Sequence, residues 1–133
     1  MIAAIADTHA ALWYLFEDPQ LSKLAGDFID RAAAAGRRIV VSSISLAEIV
    51  YLVEKNRLPV NAYFDLKQAL ADPDHVFKEP PLTIDIVDSM RRVSRAAIPD
   101  MPDRIVAATA TYFGVPVISR DGRIQASTLR TLW

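Results

Sequence analysis

Short apolar runs alternate along the chain with longer segments in which apolar residues return every three or four positions. Ile2–Ala6, Ile39–Ser42, Val76–Lys78 and Pro116–Ser119 are runs of strand length, and a further one lies near Leu129–Trp133. They are almost continuously apolar, the pattern of strands covered on both faces. Between them, Thr8–Glu17, Ser22–Ala35, Leu46–Lys55, Asn61–Leu70, Ile84–Ala97 and Arg104–Phe113 show helical spacing. The first carries Ala11, Leu12, Leu15 and Phe16 on one face, so Phe16 reads as core, and Asp18-Pro19 stops the helix. Strands alternating with helices of this length predict an α/β fold, with a mostly parallel sheet of four or five strands covered by helices on both faces. Strand order stays open. No repeat, low-complexity stretch or long linker divides the chain, so residues 1–133 read as a single domain.

Composition narrows the class. A chain that is 52% hydrophobic has enough apolar side chain for a filled core, which argues against disorder. The absence of cysteine excludes disulfides, Cys-based zinc sites and a thiol nucleophile. The Met1-to-Ala6 run is too short for a signal peptide or a membrane span, and no basic stretch precedes it. A cytoplasmic protein with no membrane association is the expectation. The net charge of −1 gives no bulk pull toward nucleic acid, although arginines cluster at Arg37-Arg38 and at Arg91, Arg92, Arg95 and Arg104.

Four carboxylates then stand out by position: Asp7, Glu48, Asp103 and Asp121. Each follows an apolar run or opens a helical segment, and open parallel sheets gather such positions into one crevice at their strand ends. Every one also has an ordinary structural use. Asp7 suits an N-cap, Ser45-Leu46-Ala47-Glu48 fits a capping box, Asp103 complements a helix dipole, and Asp121-Gly122 is a turn dipeptide. Asp100 has the same first-turn explanation as Asp103. Capping and convergence are compatible, because helix N-termini that follow strands all lie on one edge of such a sheet. Acids that converge repel, and a hard divalent cation such as Mg²⁺ or Mn²⁺ relieves the repulsion. The pattern therefore reads as a metal site suited to chemistry on phosphates.

Other chemistries lack support. His9 and His75 have no histidine at ligand spacing. Ser42, Ser43 and Ser45 lack a nucleophile elbow, and four glycines leave no phosphate-binding loop of either common type. A haloacid-dehalogenase-type phosphatase needs a second Asp where His9 stands. A response-regulator receiver needs an early Asp pair and a late lysine after a strand, and neither is apparent.

The chain resembles the PIN-domain nucleases, in particular the VapC toxins of bacterial type II toxin–antitoxin modules. The resemblance rests on Ala6-Asp7-Thr8-His9-Ala10-Ala11-Leu12-Trp13, on Val41-Ser42-Ser43-Ile44-Ser45-Leu46-Ala47-Glu48-Ile49, on Pro102-Asp103-Arg104-Ile105-Val106-Ala107-Ala108-Thr109-Ala110 and on Val117-Ile118-Ser119-Arg120-Asp121. It covers essentially the whole length and implies a PIN-like α/β/α fold. It also implies Mg²⁺- or Mn²⁺-dependent endoribonuclease activity, with Asp7, Glu48 and Asp103 as core acids and Asp121 as the fourth. Thr8 and Ser119 match supporting hydroxyl positions, although the family often has Thr where Ser119 stands. Asp100 is matched in some members only. The resemblance further implies an RNA substrate, a small VapB-like antitoxin and a homodimer. Candidate RNA contacts are Arg104, Arg120, Arg91, Arg92 and Arg95. Candidate groove residues for the partner are Trp13, Tyr14 and Tyr51, with Leu52 read as core. The competing reading is a catalytically inactive PIN-like module that binds RNA or a protein.

Overall fold

In a computed structural model describing residues 1–133, five strands form one wholly parallel sheet in the order β3-β2-β1-β4-β5. The strands are β1 (Ile2–Ala6), β2 (Arg38–Val40), β3 (Phe77–Lys78), β4 (Val117–Ile118) and β5 (Thr131–Leu132). The helices are α1 (Thr8–Leu15), α2 (Lys23–Ala34), α3 (Ser43–Glu54), α4 (Asn61–Ala71), α5 (Ile84–Ser89), α6 (Met101–Phe113) and α7 (Gly122–Ala126). No helix is long and apolar enough to cross a membrane.

Side-chain alternation along the strands sorts the core into two layers. Ala4, Ala6, Ile39, Val41, Phe77 and Ile118 pack with α1–α4 through Ala11, Leu12, Ile29, Ile49 and Leu66. Ile5, Val40 and Val117 face the other way, onto Ile86 of α5, Val106 and Ala110 of α6, and Ile124 of α7. The sheet is therefore buried on both sides, which explains the unbroken apolar runs. β1 lies at its centre, with the chain continuing to β2 on one side and β4 on the other. That is the switch-point arrangement, in which a crevice opens beyond the C-terminal strand ends.

Several boundaries differ from those expected. α3 begins at Ser43 because Ser42, expected in β2, caps it by accepting a hydrogen bond from the Ile44 N–H at 3.2 Å. Ser45 is thus inside the helix, and the capping box with Glu48 does not form. The helix expected over Ile84–Ala97 ends at Ser89, continues as a 3-10 turn over Met90–Arg92, and leaves Val93 extended. Two contacts explain the break. The Ser89 hydroxyl bonds back to the Asp85 carbonyl, and the Arg104 guanidinium takes the carbonyls of Met90 and Val93 at 2.9–3.2 Å. α6 starts at Met101, with Asp100 as its cap and Pro102 in its first turn. It ends at Gly114, whose φ of 66° is a left-handed conformation that glycine adopts without strain. Phe16 is 41% exposed rather than core, because α1 stops at Leu15 and the chain turns away there. α7 replaces the simple turn expected at Asp121-Gly122.

Candidate active site

Asp7 ends β1 and caps α1, accepting the Ala10 N–H at 2.8 Å on Oδ1. Its other oxygen, Oδ2, accepts the Ser119 hydroxyl at 2.5 Å. Ser119 follows β4, is fully buried, and its Oγ also accepts the Asp121 N–H. One serine thus ties together the two acids at the ends of neighbouring strands. Asp121 caps α7 through the N–H groups of Arg123 and Ile124.

Glu48 reaches the same place from the side of α3. Thr8 Oγ1 lies 2.6 Å from Glu48 Oε1 and 2.9 Å from Ser45 Oγ. A threonine hydroxyl has a single proton. The carboxylate can only accept, so Thr8 donates to Glu48 and accepts from Ser45. Ser45 therefore belongs to the site's support. The i, i+3 spacing of Ser45 and Glu48 was its one signal in the sequence, and a capping box uses the same spacing. The fourth acid, Asp103, sits in the first turn of α6, where its N–H donates to Asp100 Oδ2. Its carboxylate has no hydrogen-bond donor.

These residues line one cleft of about 320 Å³ with Asp100, His9, Trp13 and Arg120. Five carboxylates face it against a single arginine. Burial, then the charges of Asp100, Asp121, Glu48 and Asp7, push the Asp103 carboxyl up to about 7. Burial also raises Asp7, against the hydrogen bonds from Ser119 and Ala10 that lower it. As the side chains stand, no three acidic or histidine groups are arranged to enclose a metal ion.

Comparison with known proteins shows the family of the chain. The family model for the PIN domain matches residues 4–127. The chain belongs to the PIN-domain family. It is 28% identical over 134 residues to ribonuclease VapC22 of Mycobacterium tuberculosis strain ATCC 25618 / H37Rv, across 95% of this chain and 92% of that protein. Among solved structures, it resembles VapBC2 from Rickettsia felis bound to a promoter DNA fragment, with a TM-score of 0.71 at 16% identity over 98% and 97% of the two chains. A toxin–antitoxin complex from Klebsiella pneumoniae gives a TM-score of 0.64 at 20% identity, covering 97% of this chain and 95% of that one. Both structural likenesses are likenesses of fold.

In this PIN domain the other candidate residues part company. Of the five arginines, Arg120 alone lines the acidic cleft. Arg104 is committed to the carbonyls of Met90 and Val93, which makes it a clamp on the broken helix rather than a cation at the rim. Arg91 pairs with Asp88 at 3.4 Å on the surface. Arg92 bonds the Ser89 hydroxyl and lines a separate cleft by the N-terminal ends of β4 and β5. Arg95 is exposed in the segment before α6. Trp13 borders the acidic cleft and also an apolar groove formed with Leu12, Phe16, Leu58, Pro59 and Ala62. Tyr14 leaves that groove. Its hydroxyl donates to Asp30 Oδ1 at 2.8 Å, its ring meets Phe77, and burial beside Asp30 pushes the phenol up to about 12. Tyr51 lies apart from both clefts, 55% exposed on α3 with Lys55 over its ring. Leu52 is half-buried. His75 accepts the Phe77 N–H through Nδ1 and takes no part in the site.

Proposed function

We propose that this PIN domain is a divalent-metal-dependent endoribonuclease, the toxin of a VapBC-type pair whose antitoxin restrains it. The observation that carries the reading is the cleft itself: Asp7, Glu48, Asp103 and Asp121 face one space at the switch point, uncompensated by any ion pair. A wholly hard-oxygen donor set suits Mg²⁺ or Mn²⁺. The relation to a ribonuclease supports RNA as substrate, and the likeness to toxin–antitoxin complexes supports a protein partner.

A divalent ion held here would supply a nucleophilic water at neutral pH and neutralise charge developing on the phosphodiester. Asp7 and Asp103 would hold it, and Glu48 and Asp121 would support it from the same cleft. The remaining work falls to positioning. Ser119 and the Ala10 N–H fix the two oxygens of Asp7. Thr8, itself fixed by Ser45, fixes Glu48. Replacing Thr8 with Val keeps the shape but removes the proton that orients Glu48. Cleavage at saturating metal should fall roughly 10–100-fold, the usual effect of losing an outer-shell partner. Cleavage by Thr8→Val at the wild-type rate would remove Glu48 orientation from the mechanism.

The decisive experiment is metal removal. The purified chain should cleave single-stranded RNA in Mg²⁺ or Mn²⁺, stop in excess chelator, and resume when metal is restored. Cleavage that persists in chelator would overturn metal dependence. Binding without cleavage under any metal would favour the inactive PIN-like module. For the partner, a small reading frame is expected directly upstream, and co-expression of its product should silence cleavage and co-purify a complex; if no such frame exists and expression is harmless, the toxin reading fails. A homodimer, also part of this proposal, would appear in the mass of the free protein.

A further inference from the structure

The guanidinium carbon of Arg120 lies 4.5 Å from the centre of the Trp13 ring and over its face. Trp133 meets the same ring edge-on at 5.9 Å between centroids, and His9 lies against it at 5.6 Å. Both Trp13 and Arg120 line the acidic cleft. Five carboxylates share that cleft, yet Arg120 pairs with none of them. The ion pairs of the chain are Lys23–Asp27 and Arg91–Asp88. The Arg120 side chain makes no hydrogen bond either, so its fork of donors is free. The guanidinium sits over an aromatic ring instead of being drawn into the acids, and Arg120 is exposed. A planar cation fixed in this way matches the π-face of a nucleobase, and its edge matches a phosphate.

We infer that Arg120 on Trp13 is a stacking platform for one nucleobase of the RNA beside the cleaved phosphate. The inference rests on the ribonuclease reading and adds a specificity element to it. A base can reach the platform only when it has left its own stack, so the cleft selects single-stranded or looped RNA over duplex. The column of base, guanidinium and indole also holds the strand in register against the four acids. Trp13 acts through Arg120 and is a positioning residue. The stacking face belongs to Arg120.

The test uses the full chain as the non-cleaving Asp103→Asn variant in Mg²⁺, with a short single-stranded RNA in which one abasic site is moved along the sequence. Binding is read by anisotropy, and also by intrinsic fluorescence, since the two tryptophans of the chain both stand at this site. One abasic position should weaken binding roughly 10-fold, within the range that loss of base stacking produces. Arg120→Lys keeps the charge and loses the plane. In that background overall affinity should fall by a similar factor, and the abasic position should have no further effect. With the active enzyme, Arg120→Lys should lower kcat/KM on single-stranded RNA by at least the factor lost in binding. Duplex RNA should bind more weakly than single strand. A flat abasic scan, or wild-type affinity in Arg120→Lys, overturns the platform. If metal-dependent cleavage nevertheless persists in the wild type, only the platform falls. If the chain neither cleaves nor binds RNA, the ribonuclease reading falls with it.

Discussion

Exchange of Asp103 for Asn is expected to lower RNA cleavage by roughly 10³-fold, the scale on which removal of one group that stabilises transition-state charge is felt. Asp103 is the cleanest of the four acids to change. Its carboxylate accepts no hydrogen bond, and its only link to Asp100 is through the backbone N–H. Asn matches it in size, keeps the N–H that Asp100 caps, and removes the negative charge alone. Asp7→Asn is less informative because Asp7 also caps α1 and binds Ser119. Loss of a cap costs about 1 kcal/mol by itself, so a fall in activity there mixes folding with chemistry. Single-turnover cleavage at saturating Mg²⁺, with circular dichroism as the control for folding, makes the measurement. Wild-type turnover by Asp103→Asn would remove this residue from the site.

The sheet and the crevice were legible in the sequence because they rest on local signals. Apolar runs such as Ile2–Ala6 mark strands buried on both faces, and acids at the following helix starts mark the C-terminal edge. Asp7, Asp100 and Asp121 are N-caps, so their structural use and their nearness to the cleft are one placement. What stayed illegible depends on contacts between residues far apart in the chain. The break at Met90 follows from Arg104, eleven to fourteen residues away, taking carbonyls that a helix would use. Thr8 and Glu48 are forty residues apart and meet only because α1 packs on α3. Arg120 meets Trp13 only once β4 lies beside β1. Sequence neighbours of an acid therefore had different fates. Arg120 lines the cleft, whereas Arg104, equally adjacent to an acid, serves the fold.

Asp103→Asn should also make the metal-free protein more stable, with an effect that grows with pH. The Asp103 carboxyl has its ordinary value of 3.8 in the unfolded chain and is raised to about 7 in the fold. Between these values the unfolded chain has released a proton that the folded chain retains. Folding stability therefore falls as pH rises from about 4 to 7, and is level beyond. Asp7, raised in the same direction, adds to the slope. The shift in Asp103 corresponds to about 4 kcal/mol if taken whole. Partial exposure of the group reduces it to about 1–2 kcal/mol. For a domain of this size that is a rise in Tm of about 3–8 °C for the variant at pH 8 in chelator, vanishing near pH 4 where both proteins carry a neutral group. Addition of Mg²⁺ at pH 8 should reverse the order. An ion that binds only the folded state stabilises the wild type by mass action, and the variant has lost a ligand. Thermal unfolding of both proteins at pH 4, 6 and 8, with chelator and with Mg²⁺, separates the terms. A variant that melts below the wild type at pH 8 in chelator would show that neither burial nor the neighbouring acids disfavour a charged Asp103 in the folded protein. The case for a cation in this cleft would then lose its electrostatic support.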